Sequence, residues 1–209
     1  MNTNRKVEYE ATMNYAAYID EYREDINKGL GSILCTDASG SLIDPNDGLA
    51  KWVDLSEEKR KNDGIFFFAG NGASATMAEH MSHDCFQNAD FLTETVSETS
   101  HLTAIANDIS YEDVFSYRIS KMLKEKDMLV TISSSGNSPN IIKAIEEAKR
   151  KGAFVVTLSG KRSDNKSRQM GDLNFYIPLE TYGMVESSHA VFLHCWLDMY
   201  LDKYKGGRH

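Results

Sequence analysis

The densest group of potentially reactive side chains in this 209-residue sequence lies at 131–140, TISSSGNSPN, where an apolar segment ends in Ser133, Ser134 and Ser135, then Gly136, Asn137, Ser138 and Pro139. Residues 127–132 have the short apolar and β-branched content of a buried strand, and 141–148 repeat apolar residues at helical spacing. The serines therefore fall on a strand-to-helix turn. The first backbone N–H groups of a helix lack partners within it and its dipole end is positive, so hydroxyls and amides together can hold a dianion there. A second such turn, Gly70-Asn71-Gly72-Ala73-Ser74, follows the apolar run 64–69. Its glycines permit close backbone approach, and Ser74 is placed either to cap the next helix or to bind an oxyanion.

Histidines and carboxylates form a second group. The helix expected over 75–89 carries His80 and Asp84, which share a face at i, i+4. The helix expected over 186–203 carries Glu186 and two histidines, of which His194 lies in the most apolar part. Alone, such a histidine reads as a core residue satisfied by one hydrogen bond. Together, His80, Asp84, Glu186 and His194 supply two imidazoles and two carboxylates, a set suited to Zn²⁺ or another first-row divalent metal. Eight residues of helix rise ~12 Å. Glu186 and His194 thus meet one metal only if Glu186 lies where the chain enters the helix, if the metal sits between turns, or if the two belong to different subunits. Without metal, a carboxylate and a histidine facing a sugar carbon are the parts needed to move a proton between C1 and C2. Asp108, just before a charged helix expected over 111–124, reads as a helix cap or as an acceptor for a sugar hydroxyl.

The elements that must position these groups read as alternating strands and helices. Apolar runs at 64–69, 95–106, 127–132, 153–160 and 174–178 are strands too apolar to be half exposed. Their alternation with helices is the pattern of an α/β fold with a parallel five-stranded sheet flanked by helices on both faces. Ligands in that class bind beyond the carboxyl ends of the strands, where both serine-bearing turns fall. Ahead of this core, residues 8–30 space Ala11, Tyr15, Tyr18, Tyr22 and Ile26 as an amphipathic helix, 31–48 read as a Gly/Ser/Asp-rich loop, and 49–61 as a second helix. The expected organisation is a single domain over 1–209, with an N-terminal helical extension at 1–62 and the α/β core and terminal helix at 63–203. Asp44 to Gly48 has the carboxylates of a calcium loop without its spacing or distal Glu. The terminal helix is apolar nearly all round, which favours burial between subunits or within one core.

Composition excludes several classes. Lys and Arg number 23 against 31 Asp and Glu, a net charge of -8, with no basic cluster longer than Lys149-Arg150-Lys151, so nucleic acid is not an expected partner. The polar N-terminus is unlike a signal peptide, and no run approaches the ~20 apolar residues of a membrane helix. A soluble, cytoplasmic protein is expected. Cys35, Cys85 and Cys195 are odd in number and widely spaced, which argues for reduced packing residues and against a disulfide framework or thiolate metal site.

The stretches GNGASATMAEH (70–80), AIAND (104–108), ISSSGNSPNIIKAIEEA (132–148), VVTLSGK (155–161) and VESSHAVFLH (185–194) make the chain resemble the sugar isomerase (SIS) domain proteins. Within them it looks most like the bacterial phosphoheptose isomerases, which convert sedoheptulose 7-phosphate to D-glycero-D-manno-heptose 7-phosphate for lipopolysaccharide or capsule. The resemblance implies a flavodoxin-like fold, a cytoplasmic homotetramer with active sites near subunit interfaces, and phosphate ligands at Ser74, Ser133, Ser135 and Ser138 beside Ser134. It implies sugar contacts at Asn71 and Asp108, a metal ligand at His80, and an acid, base or ligand at His194. Three positions depart from the family pattern: Asp84 where a catalytic glutamate is usual, Glu186 where a glutamine is usual, and Gly183 where an aspartate is usual. The implied chemistry is aldose–ketose isomerisation through a cis-enediol, with Asp84 or Glu186 as base. The alternatives are another phosphosugar, or a non-catalytic phosphosugar-binding regulator.

Overall fold

The computed structural model describes residues 14–208. In chain order the strands are β1 (Leu34–Asp37), β2 (Leu42–Ile43), β3 (Ile65–Gly70), β4 (Leu92–Thr95), β5 (Met128–Ser133), β6 (Phe154–Gly160) and β7 (Leu173–Ile177). The α-helices are α1 (Tyr15–Leu30), α2 (Pro45–Lys61), α3 (Ala73–Ala89), α4 (Thr99–Asp108), α5 (Ser116–Met122), α6 (Pro139–Arg150) and α7 (Tyr182–Tyr204). All strands join one sheet in the order β2-β1-β7-β6-β5-β3-β4. The pairs from β4 through β3, β5 and β6 to β7 are parallel, whereas β1 runs antiparallel to both β7 and β2.

Successive side chains of a strand point to opposite faces, and here both faces are covered. Phe66 and Phe68 of β3, with Met128, Val130 and Ile132 of β5, pack on one side with Trp52 of α2, Met81 of α3 and Trp196 of α7. Phe67, Ala69 and Leu129 point the other way, against Phe115, Ile119, Ile141 and Ile145. This two-sided burial is why the central strands read as continuous apolar runs. Trp52 and Trp196 stack at 4.2 Å between centroids, which fixes α2 against α7. Beside them the buried Glu57 carboxylate accepts from Tyr200 Oη at 2.7 Å and from Arg60, whose guanidinium holds its pKa down at about 2.

Four expectations are corrected. The sheet has seven strands, because within 31–48, where a loop was expected, residues 45–48 already belong to α2 and residues 34–43 form the β1–β2 hairpin on β7. Its strands are short and its turn is polar: Asp37 Oδ1 accepts from the N–H groups of Ser39 and Ser41 at 2.9 and 3.1 Å, and Gly40 takes a positive φ. Asp44 caps α2 through Asn46 N–H at 2.8 Å, with Pro45 in the first turn. The strand expected at 95–106 is in fact β4 followed by α4, because Leu102 and Ile105 pack at helical spacing. Asp108 is then the last residue of α4, and the cap of the next turn is Ser110, whose Oγ accepts from Glu112 N–H at 3.1 Å. The helix expected over 111–124 divides into a 3₁₀ turn (Tyr111–Asp113) and α5. Lastly, α7 begins one turn earlier than expected and is buried on one face only; Val191, Cys195 and Met199 are exposed. Its core histidine is His189, fully buried, while the His194 side chain is 46% exposed. Ala11 lies outside the described residues.

Candidate active site

Both serine-bearing turns meet at the carboxyl ends of β3 and β5. A cavity of about 100 Å³ is lined by Asn71, Ser74, Ile132, Ser133, Ser134, Ser135, Ser138, Tyr182 and Glu186. Ser74 stands in the first turn of α3, and Ser138 is the N-cap residue of α6 with no capping hydrogen bond of its own. Two helix N-termini thus converge on one small polar cavity, the arrangement that favours an anion. Gly136 takes φ +62 in the turn and donates its N–H to Ser133 Oγ at 3.2 Å, while Asn137 N–H donates to Ser135 Oγ at 3.3 Å. Ser134 Oγ is buried and has no hydrogen-bond partner among the described residues. A buried hydroxyl left unpaired costs roughly 1–3 kcal/mol, and a ligand oxygen would relieve it.

Asn71 is held by a reciprocal amide pair with Asn140, 2.9 Å in each direction, and its Oδ1 also accepts from Tyr111 Oη at 3.3 Å. Asn140, Tyr111 and Tyr182 were not singled out by the sequence reading; Asn140 closes the SSSGNSPN run and was the one with a visible signal. Asp108 does not line the cavity. Its carboxylate is exposed and accepts from Asn107 Nδ2 at 2.8 Å. At Gly183, which is exposed, an added Cβ would stand 3.0 Å from Tyr22 Oη of α1.

Further along α3 and α7, three of the four expected ligands come together. His80 Nε2 lies 3.2 Å from His194 Nε2 and 3.2 Å from Asp84 Oδ2, and His194 Nε2 lies 3.7 Å from Asp84 Oδ2. Glu186 is not among them within one chain; it lies two turns back on α7 and lines the serine cavity. The trio fits a divalent metal on two counts. A tetrahedral ion bound at ~2.0–2.1 Å separates its ligand atoms by roughly 3.4 Å, close to all three distances. The Nδ1 of His194 is 2.8 Å from the Ala190 carbonyl, so the Nδ1–H donates there and Nε2 is left with its lone pair toward the other two groups. These three residues would hold a divalent ion and leave room for a ligand from solvent or substrate, as catalytic rather than structural zinc sites do.

His189, a turn before His194, is a different case. Among the described residues neither of its ring nitrogens has a partner in hydrogen-bond geometry, and burial pulls its pKa down to about 4. It is a neutral core group.

The model of the SIS domain matches residues 42–160, more than half of the chain. The chain belongs to the SIS domain family. Within it, this SIS protein is similar to phosphoheptose isomerases. It is 32% identical to the phosphoheptose isomerase of Helicobacter pylori strain P12 over 164 residues, 76% of this chain and 85% of that one. It is 33% identical to that of Coxiella burnetii strain RSA 331 over 168 residues, 76% and 82% of the two chains. Among solved structures, the phosphoheptose isomerase of Neisseria gonorrhoeae superposes with a TM-score of 0.75 at 25% identity, over 88% of this chain and 96% of that one. The Francisella tularensis enzyme, at 20% identity and the same TM-score, bears on the fold alone.

Proposed function

We propose that this SIS protein is an aldose–ketose isomerase that interconverts sedoheptulose 7-phosphate and D-glycero-D-manno-heptose 7-phosphate in the cytoplasm, for lipopolysaccharide or capsule heptose. The observation that carries this reading is the placement of an anion cradle and a His-Asp-His group along the same two helices. From Ser74 to His80 the rise along α3 is ~9 Å, and from Glu186 to His194 along α7 it is ~12 Å. An extended seven-carbon sugar spans about 10 Å from C1 to its phosphorus, taking ~1.25 Å per bond along a staggered chain of ordinary single bonds. A phosphate in the cradle would then bring C1 and C2 near His80, Asp84 and His194. Its binding energy, far from the reacting carbons, serves to hold the open chain in register with the base.

In the ketose-to-aldose direction one proton leaves C1 and one is added to O2, giving the cis-enediol; a proton then leaves O1 and one returns to C2. We assign the carbon-bound proton to Asp84 and the oxygen-bound proton to His194, whose Nε2 stands 3.7 Å from the Asp84 carboxylate. Zn²⁺ or a similar ion held by His80, Asp84 and His194 would supply a Lewis acid for the sugar oxygens; with His194 Nε2 bound to it, the charge on O2 would be met by that Lewis acid, and the proton role of His194 belongs to the metal-free site. Glu186, beside the serines, contacts the sugar chain in this reading.

A homotetramer with active sites near subunit interfaces is part of the proposal. The exposed apolar side chains Tyr18 and Ile19 on α1 and Val191 and Met199 on α7 support it. Light scattering at the mass of one protomer would exclude it. The function itself is tested by supplying purified, zinc-loaded protein with sedoheptulose 7-phosphate and following the aldose. Turnover that a chelator abolishes and zinc restores is expected. Binding of the sugar phosphate with no turnover under either condition would replace the isomerase by a sensor of phosphosugars.

A further inference from the structure

The cavity assigned above to a phosphate holds no basic side chain among its lining residues, and one of them, Glu186, is a carboxylate. A phosphate monoester dianion would meet hydroxyls, amides and a like charge. One cation stands at the edge of this arrangement. Lys161 follows β6 directly, and its neighbour Gly160 donates its N–H to the Ser134 carbonyl at 3.2 Å, so the Lys161 backbone runs beside the serine turn. The Lys161 ammonium lies 3.6 Å from the ring centroid of Tyr182, which is itself a wall of the cavity. Among the described residues it belongs to no ion pair, whereas the next residue, Arg162, is engaged by Asp164 at 2.9 and 2.8 Å.

The backbone at Lys161 is unusual as well. Its φ is +57, a conformation that side-chain-bearing residues seldom adopt. Two hydrogen bonds hold it there: Lys161 N–H donates to the Leu179 carbonyl at 3.0 Å, and Tyr176 Oη donates to the Lys161 carbonyl at 2.8 Å. A glycine would take this conformation at lower cost, yet the chain keeps a lysine and aims it at the lip of the cavity. Strain of this kind persists where the surrounding structure imposes it, and it gathers at ligand clamps.

We infer that Lys161 is the cation of the phosphate cradle, resting on the Tyr182 ring and moving onto a phosphate monoester bound by the serines, where it also offsets Glu186. An aromatic face holds an exposed ammonium only weakly, so the contact can yield to a dianion. A lysine stem reaches roughly 6 Å from its Cα and rotates freely about its four carbons, so the transfer needs rotamer changes only. The inference rests on the phosphate reading of the cavity but not on the isomerase reading.

The test is calorimetric titration of the full chain with inorganic phosphate at low and high salt. Lys161→Met should weaken phosphate binding roughly tenfold or more and flatten its salt dependence, as expected for loss of a charge-assisted contact. Lys161→Gly should weaken it equally while leaving the melting temperature unchanged or higher, because glycine relieves the backbone; a merely structural lysine would give the opposite pair of results. Lys166→Met, which removes one charge from an exposed position of the same loop, should stay within about twofold of the wild-type protein. Wild-type affinity in Lys161→Met would overturn the inference, and so would equal weakening by Lys166→Met, which would point to the general field of the loop. A wild-type protein that takes up no phosphate would overturn the cradle itself. Phosphate binding that depends on Lys161 in a protein without isomerase turnover would uphold the inference and overturn the proposed activity alone.

Discussion

Two carboxylates that look interchangeable in the sequence are separated by where their helices put them. Asp84 stands 3.2 Å from His80, and Glu186 lines the serine cavity. Asp84→Asn should therefore lower turnover by about 10²–10⁴, the usual worth of a positioned base. Glu186→Gln, which keeps the shape and the hydrogen-bonding reach, should remain within roughly threefold, since it contributes contact rather than proton transfer. Equal loss in both variants, measured as kcat on the heptose phosphate, would move the base to Glu186. His189 makes a prediction in pH. Its folded pKa of about 4 lies below the ordinary 6.5, so between those values the unfolded chain binds a proton that the native one refuses, and stability falls as pH drops through the window. Below about 4 the loss is complete. Urea unfolding at pH 7.5 and 4.5 should differ by about 2–3 kcal/mol more in the wild-type protein than in His189→Gln. An identical pH response in the two would remove His189 as the cause. The sequence reading singled out His194 and left the buried His189 without a role, because in a helix apolar nearly all round a list of residue types does not say which face is covered.

At the scale of elements, the serine turn depends on the loop that follows β6. Asn165 is fully buried and donates from Nδ2 to the Arg162 carbonyl at 2.8 Å and to Ser159 Oγ at 3.2 Å. Ser167 N–H donates to the Gly136 carbonyl at 2.9 Å, and Lys166 N–H to Asn137 Oδ1 at 3.0 Å. A Cβ at Gly136 would stand 2.0 Å from Asn165 Oδ1, at a φ already suited to glycine. Gly136→Ala should thus displace the turn, weakening phosphosugar binding at least tenfold, with a stability loss of about 1–3 kcal/mol. Unchanged affinity by titration would mean that the loop yields instead. The turn itself was legible as a strand, a cluster of hydroxyls and a helix start. Its clamp was not, because the contact between Gly136 and Asn165 crosses 29 residues and leaves no periodic trace. Residues 95–106 were misread for a related reason: a short, partly apolar helix following a four-residue strand offers too few turns for its period to stand out.

For the whole molecule, the strand-helix alternation was enough to place both serine turns at one end of a parallel sheet, and with it the class of ligand. What escaped was the edge. The hairpin of β1 and β2 covers β7, which would otherwise present its unpaired backbone to any passing strand. The pairing joins Leu34 to Tyr176 and Asp37 to Leu173, so the strand synthesised earliest waits for the one synthesised last. During translation, β3 and β5 can pair as soon as both have emerged, while residues 34–43 have no sheet to join until β7 leaves the ribosome. Refolding should carry the same signature, since distant pairings bear the larger loop-closure cost. In pulsed hydrogen exchange the amides of β1 should become protected after those of β3 and β5; simultaneous protection would argue against it. The N-terminal segment that seemed a prelude to the α/β core is, in time, its closing step.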